Sequence, residues 1–144
     1  GLIGIVGIAG ALIANMAGRL ADRGQEQAVT LAGALLMLLG WALLWQGGHS
    51  LWVFLLGFLV VDIALPALHI SNQSVVYALA PEARSRINAV YMTTYFIGAS
   101  VGSALGSWAW LQHGWNGTSL MGGALGLLML AVMLWDRRLL TKNR

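Results

Sequence analysis

The chain carries one stretch whose residue types could bind a solute or move a proton in an otherwise apolar setting: Val61-Asp62-Ile63-Ala64-Leu65-Pro66-Ala67-Leu68-His69-Ile70-Ser71-Asn72-Gln73. At about 100° per residue, Pro66, His69 and Gln73 fall within about 40° of Asp62, so a helix here presents a carboxyl, a kink-prone proline, an imidazole and an amide as one stripe. Asp62 lies about twelve residues into its apolar run, roughly 18 Å, which is mid-bilayer. A charge at that depth costs about 2.5–3.5 kcal/mol. The stripe must therefore face the protein interior or a water-filled cavity, because lipid cannot satisfy it. The chemistry on offer is substrate binding or proton uptake by Asp62 and His69, with Gln73 beside them. Seven residues span about 10.5 Å of helix, so a water or a substrate would have to join Asp62 to His69. The plainer alternative is that Asp62, protonated or bonded to a neighbouring helix, fixes packing. Asn15, near the inner end of the first apolar run, and Tyr91, Thr94 and Tyr95 are further candidates for lining a cavity.

Other chemistries lack their parts. His49 and His113 have no third ligand near them, so no metal site is expected. The absence of cysteine removes thiolate ligands, thiol nucleophiles and disulfides. No nucleophile, base and orienting group converge in any loop, and the loops are too short to house a soluble active site. Neither an enzyme nor a cofactor is expected.

The elements that position the stripe follow from composition. Of 144 residues, 58% are hydrophobic and only 9% charged, and mean hydropathy is +0.75. Five acids and eight bases cannot coat a water-soluble fold of this size. A bilayer is the expected solvent, and the basic pI of 10.0 reflects membrane topology rather than nucleic-acid binding, because the bases cluster between apolar runs. Five segments approach or exceed the roughly 20 residues a crossing needs: 1-18, 27-47, 50-79, 87-111 and 117-135. Runs such as Leu35-Leu36-Met37-Leu38-Leu39 do not alternate, which argues against a β-barrel. The expected fold is all-α, a polytopic transmembrane bundle of about five spans. Arg19 and Arg23 fall in the first linker, Arg84 and Arg86 in the third, and Arg137, Arg138, Lys142 and Arg144 in the tail. The second and fourth linkers have no base, so the positive-inside rule puts the first, the third and the tail in the cytoplasm. The N-terminus is then outside, the C-terminus cytoplasmic, and Trp52, Trp110, Trp115 and Trp135 fall near the interfaces.

Small residues recur where helices could pack: Gly98, Gly102 and Gly106 in the fourth span, Gly10, Ala14 and Gly18 in the first, and Gly122 and Gly126 in the last. Close approach through such residues is a main source of helix association in lipid. These glycines lie mid-helix with no strand before them, so they do not form a nucleotide loop.

Gly18-Arg19-Leu20-Ala21-Asp22-Arg23-Gly24 resembles the copy, in the loop after the eighth helix, of the Gly-x-Leu-Ala-Asp-Arg signature of the major facilitator superfamily. Pro81-Glu82-Ala83-Arg84-Ser85-Arg86-Ile87-Asn88-Ala89-Val90-Tyr91-Met92-Thr93-Thr94-Tyr95-Phe96-Ile97-Gly98 is similar to the entry into the eleventh helix of bacterial drug and sugar efflux permeases of that superfamily. The resemblance implies the C-terminal part, helices eight to twelve, of a transporter that rocks two six-helix halves about a central site. It implies a gating role for Gly18, Asp22 and Arg23, although Gln25-Glu26-Gln27 stands where the signature usually continues with bases. It also implies an inner-membrane location, a small-molecule substrate exported by proton antiport, and missing N-terminal helices as the partner. The rival expectation is a small complete membrane protein that oligomerises through Gly98, Gly102 and Gly106 into a pore or an interaction module.

Overall fold

The computed structural model describes residues 2–142, apart from a few side chains in and just after the first helix, Ala14 among them. Arg144 of the basic tail and the side chain of Ala14 lie outside the described residues. Helix α1 runs Leu2–Leu20, α2 Glu26–Gln46, α3 Leu51–Ala78 and α4 Arg84–Lys142. No strand occurs among the described residues. Three stretches, Asp22–Gln46, Leu51–Ala78 and Pro81–Lys142, are long and apolar enough to cross a membrane, with hydropathies of 2.0, 2.4 and 1.8. The third holds two rods. Gly114 takes φ 59 and ψ −141, which L side chains rarely adopt, and breaks α4 into arms spanning 84–113 and 115–142. Among the described residues the fold is thus an all-α membrane bundle of five rods.

Two expected linkers are tighter than their composition suggested. The segment from Gln112 to Asn116 is helical on both sides of Gly114, because one residue with positive φ is enough to reverse the chain. The arms close so tightly that a side chain at Gly117 would strike the Ala109 carbonyl, and the Thr118 hydroxyl lies 3.4 Å from the carbonyl oxygens of both Gly106 and Gly114. Between α1 and α2, Ala21–Gln25 forms a wide π turn with Gly24 at φ 81.

Packing centres on the pair α2 and α3, which run antiparallel across the short Gly47–His49 turn. A Cβ at Gly40 would lie 2.5 Å from Val61 Cγ2, one at Gly57 2.8 Å from the Leu44 nitrogen, and one at Gly33 2.8 Å from Leu68 Cγ. Gly40 and Gly57 let the partner helix approach to backbone contact and Gly33 takes the Leu68 side chain, so dispersion between close surfaces replaces the hydrophobic drive that lipid does not supply. Met37, Ala64 and Leu68 are buried at this seam, with Trp41, Val61 and Met129 against them. The second arm of α4 lies on the other side of α2, with Gly122 under the Trp41 indole and Gly126 against Leu38. Trp115 ties the end of the bundle at the Gly47–His49 turn: its Nε1 donates to the Leu44 carbonyl at 2.7 Å and its ring sits 5.5 Å from Phe54. At the opposite end the buried Ser71 hydroxyl and Thr30 Oγ1 both reach the Glu26 carbonyl, at 3.0 and 2.7 Å, and lie 2.9 Å from each other. Two hydroxyl hydrogens serve three contacts, so one is shared. Large apolar side chains such as Trp52, Leu111 and Trp135 point outward, as a lipid-facing surface requires.

Candidate functional site

The polar stripe of α3 faces two different neighbours. At its N-terminal end stands Asp62, half-buried where α1 crosses α3. A Cβ at Gly10 would come within 3.2 Å of Asp62 Oδ2 and 3.4 Å of its carbonyl oxygen. The missing side chain at Gly10 is therefore what leaves room for the carboxyl group. Two turns along, His69 meets the first arm of α4. The Tyr91 hydroxyl lies 3.1 Å from His69 Nδ1 and donates to the His69 carbonyl at 3.2 Å, and the Tyr95 ring centroid is 4.6 Å from the imidazole. One turn further, Gln73 Nε2 donates to the Tyr77 hydroxyl at 2.8 Å, which donates in turn to Asn88 Oδ1. Residues 62 to 77 span about 22 Å of helix, so the stripe runs from the middle of α3 toward the end of the bundle that carries Arg84 and Arg86.

This string is the main bond between α3 and the first arm, which have few other points of contact. The α2–α3 seam is held by glycine-mediated backbone approach, whereas the seam with the first arm is held by hydrogen bonds that can be exchanged for water. A neutral interhelical hydrogen bond in a membrane averages about 0.6 kcal/mol. Such a seam separates at low cost.

The structure does not bring Asp62 and His69 together, and it joins Asn15 to neither. Asn15 is exposed on α1. Gln73 stands on the stripe with its amide engaged by Tyr77. Tyr91 and Tyr95 surround His69, while Thr94 is exposed and bonds the Val90 carbonyl on its own helix. A Cβ at Gly18 would lie 3.4 Å from Ile70 Cγ2 on α3, and Asp22 and Arg23 are exposed on the π turn. The stripe of Gly98, Gly102 and Gly106 does not pack within this chain, because nothing lies within 4 Å of where their Cβ atoms would be. Every residue from 93 to 101 is exposed, with the Tyr95 ring still against His69, while Gly102 and Gly106 are half-buried and the Gly106 carbonyl accepts from Thr118. The glycines of α2 and the second arm of α4 make the close approaches instead.

Sequence reading missed Tyr77 and Asn88. Tyr77 continues the Asp62 stripe by one more turn after Gln73, at about 60° from it, so extending the angular argument would have found it. Asn88 lies on another helix and carries no such signal. Thr30 and Ser71 were equally hidden, since their contact spans 41 residues.

The profile of the Major Facilitator Superfamily matches residues 1–144. The Uncharacterized transporter YgaY of Escherichia coli O157:H7 is 44% identical over 119 residues, covering 83% of this chain and 30% of that protein. The Probable transporter SCO4007 of Streptomyces coelicolor is 32% identical, covering 86% of this chain and 29% of its own length. The Probable sugar efflux transporter of Helicobacter acinonychis is also 32% identical, covering 88% and 32%. This chain thus spans about 30% of the length of the curated relatives it matches. No solved structure matches it significantly. A full-length profile match, together with an all-α bundle of apolar rods and the Gly18 to Gly24 turn, shows that the chain belongs to the major facilitator superfamily.

Proposed function

We propose that this chain is helices eight to twelve of a secondary active transporter of the inner membrane that exports a small organic molecule in exchange for protons. The observation that carries the reading is Asp62: a half-buried carboxyl on α3, against the bare backbone of Gly10, at the head of a stripe that continues through His69 and Gln73. Proton loading of a mid-membrane carboxyl changes the cost of exposing it to either side, which is how a gradient biases alternating access. Asp62 is the proton carrier in this reading, and His69, Tyr91, Tyr95 and Gln73 form a wall for a hydrogen-bonding solute. Gly18, Asp22 and Arg23 make the cytoplasmic gate. The basic linkers and tail face the cytoplasm by the positive-inside rule, with the chain's first helix starting outside and its tail inside.

Five helices cannot alternate access alone, so the N-terminal helices of the same protein are the required partner. Export is favoured over import because one group of relatives is named as sugar efflux transporters. The test uses the full-length protein in proteoliposomes with an imposed pH gradient. Addition of a transported sugar or drug should alkalinise or acidify the lumen in step with its movement. Solute movement without any proton movement would remove antiport from the reading.

One observation favours the rival, an oligomer built through the fourth rod: the Gly98, Gly102 and Gly106 face is open in the single chain. Single-cysteine crosslinking at Ser103 separates the two. Crosslinks between copies support the rival, and crosslinks within one full-length chain support the carrier.

A further inference from the structure

At the basic end of the bundle two neighbouring cavities, about 470 and 600 Å³, share Gln27, Arg137 and Leu140 and so form one groove. It lies between α2, α3 and the second arm of α4. Its lining is sorted by depth. The charged residues Glu26, Asp136, Arg137 and Arg138 occupy the first turn of α2 and the last turns of the second arm. Ala34, Leu68, Met129, Val132 and Met133 line it further in. Met129 and Arg137 are eight residues apart, about 12 Å along the helix, so the groove changes from ionic to apolar over the depth at which a bilayer does.

The ionic end has both signs. Glu26 and Asp136 supply two carboxylates, and Arg137 and Arg138 two guanidinium groups, with no ion pair within 4.0 Å joining them among the described residues. Glu26 is fixed in place, since its carbonyl holds the Thr30 and Ser71 hydroxyls. An anionic head would meet the two carboxylates unfavourably, and a cationic head the two guanidinium groups. A head with a phosphate and a primary ammonium satisfies both pairs: arginine forks bind phosphate oxygens, and carboxylates accept from the ammonium.

We infer that this groove is a binding site for a zwitterionic glycerophospholipid with an ethanolamine head. Arg137 and Arg138 hold the phosphate, Glu26 and Asp136 hold the ammonium, and an acyl chain lies on Met129, Val132 and Met133. The inference depends on the membrane setting of the chain and not on antiport, so it stands or falls separately from the transport reading.

The full-length protein in detergent, given an equal mixture of phosphatidylethanolamine, phosphatidylglycerol and phosphatidylcholine, tests it by native mass spectrometry. Phosphatidylethanolamine should be retained above both others, because phosphatidylcholine has no ammonium N–H and phosphatidylglycerol has no cation. Glu26→Gln with Asp136→Asn should turn the preference toward phosphatidylglycerol. Arg137→Gln with Arg138→Gln should weaken retention of phosphatidylethanolamine by about 30-fold, from roughly fivefold per arginine. Val132→Trp, which fills the apolar end without changing charge, should reduce retention of all three lipids and guards against a folding defect in the charge variants. Equal retention of the three lipids, a preference for phosphatidylglycerol in the unaltered protein, or indifference to all these variants would overturn the assignment. So would water-soluble glycerophosphoethanolamine displacing the lipid at equal concentration, since that would leave the apolar wall without a role.

Discussion

Replacing Gly122 and Gly123 by alanine, one at a time, puts the packing account under a controlled test. The two glycines are adjacent on the same helix, so the gain in helix propensity from Gly to Ala, about 1 kcal/mol, is common to both. Their surroundings differ. A Cβ at Gly122 would run into the six-membered ring of Trp41, with Cε3 at 2.5 Å, while one at Gly123 meets nothing within 4 Å. Overpacking of this kind costs about 1–3 kcal/mol. Gly123→Ala should therefore raise stability by up to about 1 kcal/mol, and Gly122→Ala should fall below it by about 1–3 kcal/mol. Unfolding of the full-length protein in mixed micelles, titrated with dodecyl sulfate and followed by tryptophan fluorescence, measures the difference. Combining Gly122→Ala with Trp41→Leu supplies the decisive arm: residues in contact show coupling, and the cost of the methyl should shrink by at least about 0.5 kcal/mol in the smaller background. Equal stability of the two alanine variants, or a Gly122→Ala cost that Trp41→Leu leaves untouched, would refute the argument that this glycine seats the second arm on α2.

Tyr77→Phe removes the hydroxyl that links Gln73 to Asn88, and two membrane hydrogen bonds at about 0.6 kcal/mol each predict a loss near 1.2 kcal/mol. The same unfolding titration checks it, and Asn88→Ala should then add little on top of Tyr77→Phe. Gly114→Ala forces a side chain onto φ 59 and ψ −141 and should cost about 1–3 kcal/mol, whereas Gly123→Ala in the same helix should not. His69→Ala should weaken solute binding in the full-length protein, read by tryptophan quenching, while leaving stability within about 1 kcal/mol, because His69 is only partly buried and Tyr91 keeps its bond to the main-chain carbonyl of residue 69.

The rods were legible because each is a long continuous apolar run, a local property that needs no knowledge of partners. The Asp62 stripe was legible for the same reason: the angular relation of Asp62, Pro66, His69 and Gln73 is set within one helix. Contacts between helices were not. Nothing in the run around Gly98, Gly102 and Gly106 says that a Cβ at any of the three would meet nothing within 4 Å, while the equally plain Gly40 and Gly57 form a close seam. The hydrogen bonds from Gln73 through Tyr77 to Asn88 depend on how α3 meets the first arm of α4, which periodicity does not encode. The reversal at Gly114 was hidden because the residues around it keep helical character and only one backbone conformation departs from it.

In the proposed function Asp62 carries the proton that drives the full-length transporter. The most direct measurement compares Asp62→Asn with the unaltered protein in proteoliposomes for two activities: solute exchange with no gradient, and accumulation driven by a pH gradient. The account predicts that Asp62→Asn keeps exchange and loses gradient-driven accumulation, because the amide retains the shape at the Gly10 contact and cannot release a proton. Gradient-driven accumulation that survives in Asp62→Asn at the unaltered rate would contradict it.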